Sequence, residues 1–286
     1  MYLSLDRYSR PATAEEALRL VAESEGPAAF IAGGTDLNAG DHEAIAHLVD
    51  LQALPMKEVR VFGEPAALHL GSLVTLSTLR RHPLLGGELL AAVREAAGGY
   101  ANLALQNRST LGGRVMAARV DHDLPAALLA LGARLHVARL RDGFGVAVER
   151  VAAPEADRTA LDGGLLVGVE VPLGEGRSAH RRFGRSAVDV PLACVSACRR
   201  GDRWRVVAGV QAAAPPGLRR LRRLEELVAA WGSAPPPDWR EAAREACRAE
   251  LPEHACRWIS ADYRRDLTAT LAVRALAAVL EEEELA

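Results

Sequence analysis

The stretch FIAGGTDLNAG, Phe30 to Gly40, stops an apolar run at two adjacent glycines and follows them with a hydroxyl, a carboxylate and an apolar side chain. Two neighbouring glycines leave no Cβ between the main chain and whatever approaches it. A strand that ends in such a turn aims several backbone N–H groups into one small volume, which suits an anion such as phosphate. The same residues also make an ordinary tight turn after a buried strand. Taken alone, the pair leaves both readings open.

Upstream, Thr13-Ala14-Glu15-Glu16 is a capping box. It opens a helix whose apolar face is Ala17, Leu18, Val21 and Ala22, and Gly26-Pro27 stops it. AAFIA and HLVDL read as buried strands, so βα alternation predicts a small α/β unit over about residues 1–55. A second unit, about 56–175, opens with the strand ALHLGSLV and carries helices in TLSTLRRHP and GELLAAVREAA. It closes with the strands ARLHVARL and GLLVGVEVPL. The glycines of LGGR, within this unit, are expected just before a polar turn and outside any regular element.

From 178 to 286 the texture changes to a further domain. HRRFGRS, ACVSACRR and RWRVVAGVQ read as an antiparallel meander. Proline breaks in AAAPPGL and SAPPPDW bracket the helix RRLRRLEELVAAW. A long final helix is expected from near Ser260, its apolar stripe anchored by Tyr263 and continued by Leu267, Leu271, Leu276, Val279 and Leu280. Glu281–Glu284 read as a solvated tail. The fold class is α+β.

The 286 residues, 49% apolar and 25% charged, suit two or three packed units with ample core. A net charge of −2 favours neither nucleic acid nor an anionic membrane surface. Lys57 is the only lysine. The start, MYLSLDRYSRPATAEEAL, lacks a basic-then-apolar signal pattern, and no apolar run approaches the ~20 residues that span a bilayer. The expected location is cytoplasmic. Cys194, Cys198, Cys247 and Cys256 form no Cys-x-x-Cys pair, and Cys247, His254 and Cys256 match no zinc spacing. Reduced, buried thiols are expected, with no iron–sulphur cluster on this chain.

A second glycine pair bears on the first one's meaning. Thr110-Leu111-Gly112-Gly113 is followed by Asp121-His122-Asp123, and each pair has a threonine beside it, Thr35 and Thr110. Both hydroxyls can donate to phosphate oxygens. Two such loops on successive units can grip a pyrophosphate from both sides, with Asp123 accepting from polyol hydroxyls. Neither G-x-G-x-x-G nor G-x-x-x-x-G-K-[ST] is present, so this is neither a Rossmann fingerprint nor a P-loop.

AGGTDL (Ala32–Leu37), NRSTLGG (Asn107–Gly113) and DLPAALLALGA (Asp123–Ala133), in this order, resemble the FAD-binding subunit of molybdenum hydroxylases. That family includes the medium subunits of xanthine dehydrogenase and carbon monoxide dehydrogenase. GSLVTLSTLRRHPLL, LLVGVEVPL, RRFGRSAVDV and SADYRRDL extend the resemblance nearly end to end. It implies a two-subdomain FAD-binding domain of the vanillyl-alcohol-oxidase/PCMH type over 1–175, then a C-terminal domain of antiparallel strands plus helices. It further implies that Phe30, Ile31, Ala32, Gly33, Gly34, Thr35, Asp36 and Leu37 form the first pyrophosphate loop. Thr110, Leu111, Gly112, Gly113 and Arg114 form the second. Asp123 binds the ribityl or ribose region, Tyr100 and Leu166 pack on the cofactor, and Arg182 approaches the flavin, with Arg181 an equally legal alignment.

Two departures fall at the cofactor. Arg114 replaces the family's Asn, and ARVDHD replaces a run of small residues. An arginine there is expected to bond phosphate. Plain alternatives stand beside these roles: His122 as a surface-loop residue, Tyr100 as a core aromatic, and Arg181, Arg182 and Arg185 as a solvated strand face. By resemblance the chain is an oxidoreductase subunit without a nucleophile–base pair of its own. The molybdenum cofactor and two-iron, two-sulphur clusters belong to partner subunits in a dimer of heterotrimers, and electrons leave FAD for NAD or another acceptor. Two other functions compete: a structural subunit that has lost its flavin, and a self-contained flavin oxidase.

Overall fold

The computed structural model describes residues 5–39, 45–117, 123–141, 145–154, 159–210, 217–232, 234–253 and 259–280. His122, His254, Cys256 and the tail 281–284 lie outside the described residues. The first sheet is built from β1 (Arg7–Ser9), β2 (Ala28–Ile31) and β3 (His47–Asp50), with α1 (Ala14–Ala22) and α2 (Thr35–Ala39) between them. Both strand pairings are parallel, in the order β1-β3-β2. The capping box opens α1: Thr13 Oγ1 accepts from the Glu16 N–H at 3.1 Å, while the Glu16 carboxylate accepts from the N–H of Ala12 at 2.8 Å. Ala17 and Leu18 then pack beside Val49 and Leu51. Because β2 is parallel to its neighbour, residues 32–34 leave at its carboxyl end, the usual ligand side of such a sheet.

The second sheet has five strands in the order β4-β5-β8-β6-β7, every pairing antiparallel. These are β4 (Val59–Phe62), β5 (Ala67–Gly71), β6 (Arg134–Leu140), β7 (Val146–Ala152) and β8 (Leu165–Pro172). Between β5 and β6 run α3 (Leu76–Arg81), α4 (Ala91–Gly98), α5 (Leu103–Arg108), α6 (Leu111–Met116) and α7 (Asp123–Ala130). The expectation that the LGGR glycines lie outside regular structure is corrected here: Gly112 and Gly113 sit in α6. Glycine is a poor helix former, so local propensity argued against it. Tertiary hydrogen bonds override that. Thr110 caps the helix by accepting from the Gly113 N–H at 3.1 Å, and the Gly112 N–H donates to the Ser72 carbonyl at 2.7 Å.

The third sheet is the expected meander with one more strand: β9 (Arg177–Phe183), β10 (Ala193–Arg200), β11 (Arg203–Val210) and β12 (Gly217–Arg220), ordered β12-β11-β10-β9. Its faces divide by the period of two along a strand. Cys194 and Cys198 join the core of the α4–α7 layer, while Val195 and Ala197 face α8 (Arg222–Ala229), α9 (Trp239–Glu250) and α10 (Ala261–Leu280). The sheet is thus sandwiched, which explains the near-continuous apolar text of β10. Tyr263 does not anchor α10. It is 49% exposed, and the buried stripe begins further on, with Leu271, Leu276 and Val279. Among the described residues no helix is long and apolar enough to cross a membrane.

Candidate cofactor site

The two glycine loops touch each other. A Cβ on Gly33 would lie 1.9 Å from the carbonyl oxygen of Arg108, so only glycine lets the backbones meet there. Gly34 follows at φ +72, turning the chain into α2. The Gly33 carbonyl faces Nε and Nη2 of Arg108, both at 3.4 Å, and the Thr35 and Ser109 hydroxyls are 2.9 Å apart. Gly112 is held in the same way: its Cβ would lie 2.8 Å from the Cβ of Ser72. The glycines at 33 and 112 therefore serve loop-to-backbone packing within the chain. Gly113 differs, since an added Cβ meets only the Thr110 hydroxyl, at 3.0 Å.

Where the loops meet, a cleft of about 420 Å³ opens, walled by Ala32, Gly33 and Thr110 from the predicted loops. Residues not singled out from sequence complete it: Lys57 and Arg108 bring positive charge, Thr75 and Thr78 hydroxyls, Gln52 and Asn107 amides. None of its lining residues is acidic. Bare backbone, hydroxyls and two cations form a donor set that fits a diphosphate.

Beside the cleft, Arg114 is 5% exposed. Its Nη1 donates to both carboxylate oxygens of Asp36, at 2.9 and 3.0 Å, and its guanidinium lies 3.9 Å from the Tyr100 ring centroid. Arg114 thus bridges α2 and α6 and stacks on Tyr100. A guanidinium stacks well on an aromatic face and pairs with a carboxylate at once, which asparagine cannot do.

Asp123 starts α7 and is buried against the third sheet. Its oxygens lie 3.2 Å from Nε2 of His180 and 2.9 Å from Nε of Arg182. His180 and Arg182, both on β9, thus converge on the Asp123 carboxylate. Burial pushes the carboxyl up. Contact with His180, the charge of Arg182 and the Cys194 thiol outweigh it and hold the carboxyl below its ordinary value. His180 is oriented by the Ser196 hydroxyl, 2.8 Å from its Nδ1. Arg182 packs over Gly99, where an added Cβ would meet its Cδ at 2.6 Å, so this cluster abuts the Tyr100 turn. Arg182 reaches Asp123, whereas Arg181 pairs with Glu95. Leu166 is 2% exposed and shares a core cluster with Leu111. Phe30 packs in the core under the first sheet. Ile31 ends β2, with its Cδ1 close to Gly34, and Leu37 lies in α2. Cys194, Cys198 and Cys247 are buried and form no disulfide, and burial pushes the Cys247 thiol up to about 12.

Fold and site together define an α+β protein whose two glycine loops meet at one cleft. The sequence profile of the family described as the FAD binding domain in molybdopterin dehydrogenase matches residues 3–174, and the chain belongs to that family. It therefore carries an FAD-binding domain. It is 32% identical over 132 residues to an uncharacterised protein, YgfM, of Escherichia coli K12, covering 46% of this chain and 49% of that one. It is 29% identical over 162 residues to the 6-hydroxypseudooxynicotine dehydrogenase complex subunit alpha of Paenarthrobacter nicotinovorans, covering 55% and 54%. The chain thus spans about half the length of these curated relatives. A chain of carbon monoxide dehydrogenase from Hydrogenophaga pseudoflava has the same fold, with TM-score 0.86 and 22% identity over 98% of this chain and 99% of that one. Quinoline 2-oxidoreductase from Pseudomonas putida 86 gives TM-score 0.84 and 22% identity over 98% and 99%.

Proposed function

We propose that this chain is the FAD-binding electron-transfer subunit of a molybdenum hydroxylase. A partner carrying the molybdenum cofactor oxidises the substrate, and an iron–sulphur partner relays the electrons. This subunit delivers them to NAD or another acceptor, within a cytoplasmic dimer of heterotrimers. The observation that carries the reading is the meeting of both glycine loops, inside the matched FAD domain, around a cleft with two cations and no acidic lining residue. The relative from Paenarthrobacter nicotinovorans, by name a subunit of a dehydrogenase complex, supports the multi-subunit arrangement.

FAD, when bound, supplies the redox chemistry. The chain's residues hold and orient it. The loop 32–34 presents bare backbone, and Thr110 its hydroxyl, to the diphosphate. The Arg114–Asp36 bridge keeps the two loops in register and holds Tyr100 in place. Asp123 fixes Arg182 against the Tyr100 turn, so one cation stands at a set position near the ring end of the site.

The division of labour is tested with the isolated chain loaded with FAD. It should pass electrons slowly from NADH to a dye and leave purines, aldehydes and carbon monoxide untouched. Adding the two partners should bring substrate-dependent bleaching of the flavin. Steady turnover of such a substrate by the isolated chain contradicts the proposal.

A further inference from the structure

We infer that a second cavity, at the end of the third sheet, binds a small molecule that carries a diphosphate on an organic body the size of a nucleoside. It stands apart from the cofactor cleft, since no residue lines both. Asp123 opens α7 and Ala130, its last residue, lies in the cavity wall, so about 12 Å of helix separates Asp123 from that wall.

The cavity holds about 660 Å³, within the range of pockets that take a whole small ligand. Its cationic wall follows from strand register. Arg203 and Arg205 are two apart on β11 and share one face with Val207. Arg200 on β10 pairs with Arg203, and Arg220 on β12 pairs with Val207, so four arginines gather on that face across three strands. Arg134 and Arg222 add to them, against three acidic residues, Asp202, Glu225 and Glu226. Like charges directly opposite on neighbouring strands repel each other. Glu225 compensates Arg220: its carboxylate accepts from Arg220 Nε and from the Val206 N–H, both at 3.0 Å. Among the described residues no carboxylate lies within ion-pair distance of Arg134, Arg200, Arg203 or Arg205. Two of these are held in place nonetheless. Arg200 Nη2 donates to the Pro172 carbonyl at 2.6 Å. The Arg205 guanidinium lies across the Gly132 turn, where φ is +69 and an added Cβ would meet its Cζ at 2.8 Å. Partial burial, and next the charge of Arg220, press this guanidinium below its ordinary value. An anion relieves that repulsion, and guanidinium forks match phosphate oxygens with parallel N–H bonds. The lining also includes Ala130, Leu131, Pro172 and Ala229, an apolar surface that suits an organic body and gives nothing to a bare inorganic ion.

Calorimetric titration of the full chain, with FAD present in excess, tests this using ADP, AMP and inorganic pyrophosphate. Wild type should bind one equivalent of ADP, more tightly than AMP or pyrophosphate, more weakly as salt rises, and without releasing FAD. Arg203→Gln and Arg205→Gln should each weaken ADP about tenfold, the scale of one charge-assisted bond, and the double variant should lose more than either. Arg219→Gln, on the opposite face of β12, should bind ADP as wild type does. FAD affinity should be the same in all of them. A wild type that takes up no ADP overturns the inference, as does a double variant with wild-type affinity. An equal loss in Arg219→Gln also overturns it, because overall charge would then account for the binding. ADP that displaces FAD mole for mole would sit in the cofactor cleft, and pyrophosphate that binds as tightly as ADP would leave the organic body without a role; either result overturns the assignment.

Discussion

Gly113→Ala separates what the fold needs from what the ligand needs. The added Cβ meets one atom, the Thr110 hydroxyl oxygen at 3.0 Å, which must give by a few tenths of an ångström. Alanine in place of glycine within a helix is worth roughly 0.5–1 kcal/mol. Against this stands part of the Thr110 cap, a feature worth about 1 kcal/mol in total. The two nearly cancel. Stability should stay within about 1 kcal/mol of wild type, a shift of no more than about 4 °C in Tm for a chain of this size. FAD affinity should nevertheless fall steeply, because a methyl group would stand where the cofactor's diphosphate meets the start of α6. Thermal unfolding and flavin titration of the same sample decide it. A stable Gly113→Ala protein with full FAD affinity would show that the diphosphate does not approach this turn.

Gly33→Ala should behave differently. Its Cβ meets the Arg108 carbonyl at 1.9 Å, so stability falls, by about 1–3 kcal/mol for such overpacking, together with FAD content. Gly34→Ala forces alanine to φ +72 and should lose about 1–2 kcal/mol, read from urea midpoints. Arg114→Ala breaks the bridge to Asp36, whose side chain is 27% exposed and so partly hydrated when left alone. A loss of about 1–3 kcal/mol is expected, with an FAD dissociation constant that rises similarly at low and high salt, since this arginine is buried. The Asp123 carboxyl is held below its ordinary 3.8 in the folded protein, so the unfolded chain binds the proton more readily. That contribution is present above 3.8 and is lost as pH falls through the lower folded value. Asp123→Asn should flatten the acid limb of the stability curve while lowering the plateau, because Arg182 loses its carboxylate.

The legible parts of this molecule were local. Thr13 and Glu16 announced a capped helix, and the apolar runs at 28–31 and 193–200 announced strands. The glycine pairs marked the loops, but periodicity could not show why they are glycines. Two of them answer to Arg108 and Ser72, residues distant in the chain, and that demand comes from tertiary packing. The same limit hid the helical state of Gly112 and Gly113, where Thr110 and the Ser72 carbonyl outweigh poor propensity. The meeting of Asp123, His180 and Arg182 brings α7 against β9 and leaves no short-range trace. Tyr263 misled because α10 is rich in alanine and apolar on more than one side, so its first aromatic residue looked like an anchor while facing solvent. Lys57 belongs to no motif, and only its place beside β5 brings it to the cleft.

The most direct measurement is the identity and amount of flavin on the purified chain. The account predicts a yellow protein carrying one equivalent of flavin, released on denaturation as FAD and not FMN, and restored by FAD after stripping. A folded, colourless protein that resists reconstitution with FAD would contradict the account.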